Sequence, residues 1–116
     1  MADIRITDGR LEVALTRRER IAGLLGDVDV PVTAIRHVEV VDDAFDAVRG
    51  LRAPGLALPG VTRVGTWRGG GRRSYVVARA GRRALVVDLE GQWYDRLVLS
   101  TTDAASLRDR LRSAVG

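Results

Sequence analysis

Four short apolar runs in the second half of the chain, followed by one amphipathic segment, constrain the fold more than any other feature. The runs occupy residues 61–67, 74–79, 84–89 and 93–99, and the amphipathic segment covers residues 102–115. Runs spaced about ten residues apart and separated by glycine turns are typical of consecutive β-strands. We therefore expect a β-meander that curls into a barrel or sandwich, with the final helix closing one open end.

The amphipathic segment carries apolar side chains at intervals of four residues. Leu107, Leu111 and Val115 have this spacing, and mostly charged residues cover the remaining surface. Such a stripe predicts a helix that buries one face against the sheet. Ser100 and Asp103 precede the stripe at the spacing of a capping box, so we expect them to cap the start of the helix.

The first half of the chain predicts further strands. Asp8 and Gly9 separate two runs that alternate apolar and polar residues, which is a strong hairpin signal. Residues 28–30 and 34–41 are the next strand material, separated by Pro31. Alternation along 34–41 predicts two faces. One face carries Arg36, Val38 and Val40, and the other carries Ile35, His37, Glu39 and Val41.

Two short helices and one loop complete the first half. Residues 16–25 begin with a capping box of Thr16 and Glu19, and residues 42–48 begin with a pair of aspartates, so both segments predict helices. Two Pro-Gly pairs punctuate residues 50–60, which predicts a loop. The leucines of this loop indicate that it packs against the protein.

Composition bounds the class of protein. A chain of 116 residues forms one domain, residues 1–116. Cysteine is absent, which excludes disulfides and thiolate metal sites. No apolar stretch approaches the ~20 residues of a membrane helix, and the N-terminus lacks the basic and apolar regions of a signal peptide. We therefore expect a soluble cytoplasmic protein.

The positive charge of the chain is a weak guide to its partners. The net charge is +4, and all nineteen basic residues are arginines. A complete absence of lysine, with abundant alanine, valine and glycine, is typical of a GC-rich genome. Since arginine is then the only cation available to any solvated surface, the charge permits anionic partners without demonstrating them.

One set of turn and cap residues extends over nearly the whole chain. It comprises Leu11 to Leu15, Thr16 with Glu19 and Arg20, Val30-Pro31, Ile35 with Val38, Gly50-Leu51-Arg52, Pro54-Gly55, Leu58-Pro59-Gly60, Gly65-Thr66 and the run 97–101. This set resembles small bacterial pleckstrin-homology-like (PH-like) proteins. The resemblance implies a mainly β fold: a barrel of about seven antiparallel strands in two sheets, closed by a C-terminal helix, with one or two short inserted helices.

The same resemblance implies a non-enzymatic binding or assembly module. We expect no cofactor, and we infer no small-molecule substrate from the sequence. Lipid-binding PH domains of eukaryotes carry a long basic loop between their first two strands. The corresponding segment here, Thr7-Asp8-Gly9-Arg10, is short and partly acidic, so phosphoinositide binding does not carry over. We expect a protein partner or self-association. The alternative is an anion-binding domain that uses arginines of the turns to bind nucleic acid or a membrane surface. Within this alternative we expect membrane binding to be weak, and nucleic acid is disfavoured because the chain has no aromatic-rich stacking strand and no uniformly basic helix.

The residues of catalytic type do not form a recognisable constellation. His37 is the only histidine. A hydrolytic triad would need a serine on a strained turn after a strand, whereas Ser74 begins a predicted strand and Ser100 begins a predicted helix. We expect His37 to lie half-exposed beside Glu39. The aspartates of the second predicted helix lack the spacing of a calcium loop, so we expect no metal site.

Arginines that flank two glycine turns form the best candidate contact or anion site. A guanidinium binds a carboxylate or phosphate through two parallel hydrogen bonds; the alternative is that these arginines are only solvated. Alternate turns of a meander lie at opposite ends of the sheet, so we expect two clusters. Trp67 lies beside the first turn, where we expect it to be exposed and to mark a contact surface. The candidate residues are Trp67, Arg68, Arg72, Arg73, Arg82 and Arg83.

Overall fold

Nine β-strands, one 3₁₀ helix and one α-helix make up the part of the chain that the structure describes. The computed structural model describes residues 3–17, 26–44, 51–58, 62–69, 71–79 and 81–115. The strands are β1 (Asp3–Thr7), β2 (Arg10–Ala14), β3 (Val28–Pro31), β4 (Ile35–Val41), β5 (Leu51–Leu58), β6 (Thr62–Gly69), β7 (Arg72–Arg79), β8 (Ala84–Leu89) and β9 (Arg96–Ser100). The 3₁₀ helix is Val32–Ala34, and helix α1 is Ala104–Val115. The two short helices predicted at 16–25 and 42–48 fall largely outside the described residues.

The described strands form two sheets. β1, β2 and β3 form a three-stranded antiparallel sheet, and the other six strands form a mixed sheet in the order β4-β8-β9-β7-β6-β5. Only β7 and β9 run parallel to each other. The prediction of a mainly β fold with two sheets and a C-terminal helix is confirmed. Within the described ranges no strand pairing joins one sheet to the other.

The four strands predicted in the second half are present, but the predicted meander is wrong. β9 lies between β7 and β8, and it begins at Arg96, three residues later than expected. The physical reason is burial, because Leu97, Val98 and Leu99 are all fully buried. A strand with apolar side chains on both faces removes most surface from water at the centre of a sheet. An edge position would leave part of this run exposed.

Residues 51–58, which the sequence predicts as a loop, form the edge strand β5. Its pairing with β6 shifts register between Arg52 and Gly55, on either side of Pro54. A proline has no N–H for the hydrogen-bond ladder, and sheets accommodate it at edges and bulges. The Pro-Gly pair therefore marks an interruption within a strand, and the loop prediction is wrong.

The hairpin predicted at Asp8 and Gly9 is confirmed. Thr7 pairs with Arg10, so the turn between β1 and β2 contains two residues. Asp8 and Gly9 have φ angles of 51° and 73°. Two consecutive positive φ values are the signature of the turn that best matches the twist of a hairpin, and they favour an Asp-Gly pair.

Strand β4 departs from the strict alternation that the sequence predicts. Its register against β8 shifts between Ile35 and His37, as in a β-bulge. The extra residue brings Ile35 and Val38 into the same core cluster, whereas alternation places them on opposite faces. After the shift alternation resumes, since Val40 packs against this cluster and Val41 packs against a second one.

The central strands of the six-stranded sheet bury both of their faces. One face packs in a cluster with β2, β3 and α1. From the sheet this cluster takes Ile35, Val38, Val64, Tyr75, Val77, Leu85, Val87, Leu89, Leu97 and Leu99. The opposite face forms a smaller cluster of Ala44, Trp67, Val76, Ala78, Ala84, Val86 and Val98.

Helix α1 buries the apolar stripe that its sequence predicts. Ala104, Leu107 and Leu111 are buried, and the helix packs against β4, β8 and the 3₁₀ helix. Because these three side chains belong to the main core cluster, the helix is part of the main core. The side chain of Val115 is outside the described set.

The capping role predicted for Ser100 is wrong. Ser100 belongs to β9, where its buried Oγ accepts a hydrogen bond from the Arg79 N–H at 2.9 Å. At the entrance to α1 the Oγ1 of Thr101 accepts a hydrogen bond from the Asp103 N–H at 3.2 Å. Ser100 satisfies a backbone donor at the end of β7 instead, which links the two parallel strands.

Replacing Leu111 with alanine should lower the free energy of unfolding by about 2–5 kcal/mol, because it leaves a cavity in the main core. The measurement is denaturant unfolding followed by circular dichroism. Arg110→Ala, on the exposed side of the same helix, is the control and should change stability by less than about 0.5 kcal/mol. Equal effects of the two substitutions would show that α1 is not part of the core.

Candidate functional site

The β6–β7 turn and the β8–β9 loop lie side by side at one end of the six-stranded sheet. β7 and β9 are parallel neighbours, so their first residues lie at the same end. Two hydrogen bonds join them: the Arg73 N–H donates to Asp95 Oδ2 at 2.9 Å, and the Asp95 N–H donates to the Arg73 carbonyl at 2.8 Å. A loop that follows β8 is thereby fixed against a turn that precedes β7.

Trp93 is the one exposed large hydrophobic side chain among the described residues, at 56% exposure. The guanidinium carbon of Arg73 lies 4.3 Å from the centre of the indole ring, and that of Arg68 lies 6.0 Å away. A cation over an aromatic face at such distances is attracted by the ring quadrupole. The two arginines therefore hold the indole at the surface.

The residues that follow Trp93 anchor the loop to the protein. Tyr94 packs edge-on against Trp93 at 4.7 Å and against the fully buried Tyr75 at 5.1 Å. Its hydroxyl lies 3.4 Å from Thr66 Oγ1, and the Asp95 carbonyl accepts a hydrogen bond from the Leu89 N–H at 2.8 Å. An exposed indole on an anchored loop loses little conformational freedom when it is contacted.

Two shallow cavities lie at the start of β7. One, of about 180 Å³, is lined by Arg68, Gly69, Gly71, Arg72 and Arg73. The other, of about 350 Å³, is lined by Arg36, His37, Arg72, Asp88, Leu89, Glu90 and Asp95. Arg72 lines both, so the two cavities are neighbours on the surface. We call Trp93 with Arg68, Arg72 and Arg73 the arginine–tryptophan surface.

The carboxylates near this surface are engaged by other groups. Glu90 forms an ion pair with Arg36, and Asp88 receives two hydrogen bonds from Arg96, the shorter at 2.7 Å. The third nearby carboxylate, that of Asp95, accepts a hydrogen bond from the backbone N–H of Arg73 at the start of β7. Neither Arg68 nor Arg72 forms an ion pair with any described residue. Their guanidinium groups are available to an external anion.

The expectation that Trp67 is exposed is wrong. Trp67 is only 5% exposed and belongs to the second core cluster. It lies opposite Ser74 in the register of β6 and β7, and so small a neighbour leaves space for an indole on that face. The exposed indole is Trp93, which the sequence places at the start of a strand. The signal that identifies it is its position in a polar turn, two residues after Gly91.

The candidate arginines form two groups, as the sequence predicts. Arg72 begins β7 and Arg79 ends it, so the turn that carries Arg82 and Arg83 lies at the opposite end of that strand. Acidic residues accompany this second turn. Arg83 Nε is 4.0 Å from Asp42 Oδ1, and Asp43 Oδ1 accepts a hydrogen bond from the Gly81 N–H at 3.4 Å. The second group is thus partly neutralised by its surroundings.

His37 lies exposed beside Glu39, as predicted, with Nε2 3.8 Å from Glu39 Oε2. The register places His37, Asp88, Arg96 and Ser74 in one row across β4, β8, β9 and β7. Three inter-strand spacings of about 4.8 Å separate His37 from Ser74 by roughly 14 Å. A nucleophile and its base must be within hydrogen-bond reach, so this pair does not form a hydrolytic site.

Comparison of the chain with protein-family models, curated proteins and solved structures found no match. Helix α1, the α-helix whose bounds the structure gives, is too short and too polar to cross a membrane, and the described residues contain no other candidate. The interpretation of the site therefore depends on its geometry.

Replacing Asp95 with alanine should loosen the arginine–tryptophan surface. The substitution leaves the Arg73 N–H without its acceptor and should lower stability by about 1–3 kcal/mol. Amide hydrogen exchange measured by NMR should accelerate first at Arg73 and in the loop 90–95. Asp109→Ala, which removes an exposed carboxylate from α1, is the matched control and should leave that exchange unchanged. Unchanged exchange in Asp95→Ala would show that other contacts fix the loop.

Proposed function

We propose that this chain is a non-enzymatic module that binds an acidic segment of a partner protein through the arginine–tryptophan surface. The observation that carries the proposal is the exposure of Trp93 beneath the guanidinium of Arg73. Tryptophan and arginine are the residues most enriched among those that dominate binding energy at protein interfaces. An apolar ring surrounded by unpaired cations favours a segment with carboxylates around an apolar or aromatic residue.

The charges of the site support a carboxylate as the group recognised. Arg68 and Arg72 adjoin the smaller cavity and have no carboxylate of their own among the described residues. Arg73 is positioned by hydrogen bonds of its backbone, and its guanidinium lies over the indole and donates a hydrogen bond from Nη1 to the Trp93 carbonyl at 3.4 Å. Its other N–H groups remain for a ligand. Bidentate pairing with a carboxylate is the contact for which a guanidinium is best shaped.

A second candidate function is binding of a phosphate polymer or an anionic membrane surface. The same unpaired arginines favour it, because they could neutralise phosphates as well as carboxylates. In the lining of the adjoining cavity the carboxylates of Asp88, Glu90 and Asp95 outnumber the arginines, Arg36 and Arg72, so this cavity opposes such binding. A polyanion that follows the surface past Arg72 would meet these carboxylates, whereas a short acidic segment ends before them.

We further propose that the protein is a bacterial PH-like domain that acts in the cytoplasm. Two antiparallel-rich sheets with a C-terminal helix in the core are compatible with that assignment. The turn and cap residues spread over the chain support it. The parallel pairing of β7 with β9 is a departure from the all-antiparallel barrel that the resemblance implies.

The proposed function can be tested by selecting random peptides for binding to the full chain at about 150 mM salt, close to physiological ionic strength. We expect enrichment of acidic peptides that contain an apolar residue. Trp93→Ala and the double variant Arg72→Glu/Arg73→Glu should each weaken the selected peptides at least tenfold, because each removes one half of the surface. The control is Arg82→Glu/Arg83→Glu, which makes the same change of charge at the other end of β7 and should preserve binding.

Three results would contradict the proposal. One is selection of peptides without acidic residues, and another is equal loss of binding in the control double variant. The third is sub-micromolar binding of single-stranded oligonucleotides or anionic vesicles, measured at the same salt concentration and with a steep decline as salt rises. That last result would put the second candidate function first.

A further inference from the structure

Within the described ranges, strand β4 is an edge of the six-stranded sheet, and no other strand pairs with one side of its backbone. β8 occupies its other side. The opposite edge strand, β5, contains Pro54, whereas β4 contains no proline. Arg36 and His37 are exposed and Glu39 is half-buried, so these three side chains of β4 are accessible. An open edge without proline is a template for another strand.

The backbone of Val38 faces the open side of β4. Its carbonyl accepts a hydrogen bond from the guanidinium of Arg112, in α1, at 2.9 Å. In an antiparallel pair the N–H and the carbonyl of one residue point to the same side. The Val38 N–H therefore also faces away from β8. Among the described residues, a side chain and no strand covers this part of the edge.

The residues on either side of Val38 are complementary to each other. His37 precedes it and Glu39 follows it, both at the surface. When two copies of β4 pair antiparallel about Val38, His37 of each copy lies directly opposite Glu39 of the other. Residues opposite each other have Cβ atoms about 4.5–5.5 Å apart, and pairs of opposite charge or matched polarity stabilise the ladder. A two-fold axis through the pairing relates the two His37–Glu39 contacts, so both form together.

We propose that β4 is a self-complementary edge through which two copies of this chain join into one continuous sheet. The two Val38 residues exchange their N–H and carbonyl groups at the centre of the pairing. Arg112 restrains this association, because its guanidinium occupies the carbonyl that the second copy requires. The interface lies on β4, and its contacts do not use the arginine–tryptophan surface.

The size of the contact sets the expected strength. Seven residues of β4 on each side bury less surface than the ~1,200–2,000 Å² of a stable interface. The wild-type chain should therefore dimerise only weakly and at high concentration. Removing the Arg112 guanidinium frees the acceptor, and the association constant should then rise by about tenfold or more.

The test is sedimentation equilibrium of the full chain over a concentration series up to millimolar. Arg112→Ala should raise the association constant, and Arg110→Ala, an exposed arginine of the same helix, should not. In the Arg112→Ala background, His37→Glu should abolish dimerisation because it places two carboxylates opposite each other twice. Adding Glu39→Arg to that variant should restore dimerisation, because an acidic side chain at position 37 then lies opposite a basic side chain at position 39 of the other copy.

A backbone variant tests the register without changing charge. Alternate residues of a strand point their N–H groups to the same side, and the register is unbroken from His37 to Val41, so the Val40 N–H also faces the open side. Val40→Pro should therefore block pairing in the Arg112→Ala background. Circular dichroism checks that the Val40→Pro variant is folded. The charge-reversal experiment at positions 37 and 39 tests the proposal even if the proline variant does not fold. Monomeric Arg112→Ala at millimolar concentration would overturn the proposal, as would a dimer that persists in His37→Glu or is not restored by Glu39→Arg.

Discussion

The burial of β9 on both of its faces is the constraint on which the rest of the structure depends. Leu97, Val98 and Leu99 are consecutive and fully buried, so β9 takes a central place beside β7 and β8. In that position β9 runs parallel to β7, which brings the start of β9 beside the start of β7. The β8–β9 loop then ends against the β6–β7 turn, and Trp93 comes to lie under Arg73. A packing requirement in the core thus creates the surface feature.

Local patterns predicted the elements, whereas the order of the strands required information that local patterns do not contain. The Asp8-Gly9 turn and the four-residue spacing of Leu107 and Leu111 are local signals, and both predictions are confirmed. Strand neighbours depend on which surfaces are buried across distant segments. The three consecutive apolar residues of β9 indicate a strand that is buried on both faces, but they do not identify the strands that lie on either side of it.

The sequence predicts the positions of the arginines in the candidate site but not the residues that surround them. The arginines on two turns follow from the sequence, and so does their division between opposite ends of β7. The different electrostatic surroundings of the two groups cannot be predicted from the sequence. Asp42 becomes a neighbour of Arg83, and Glu90 of Arg36, only through the fold. The burial of Trp67 and the exposure of Trp93 have the same origin. A tryptophan beside a turn is exposed or buried according to the face of the strand on which its register places it.

The two proposed surfaces adjoin each other, and this has a consequence for binding. Arg72 belongs to the arginine–tryptophan surface, and it lines one cavity together with Arg36 and His37 of β4. Pairing of β4 about Val38 would therefore place two arginine–tryptophan surfaces on one continuous sheet, related by a two-fold axis. A partner with two acidic segments could then engage both, and the second contact would form at a high effective concentration. Such a partner would stabilise a dimer that is weak by itself, because it binds the paired form at two sites and the single chain at one.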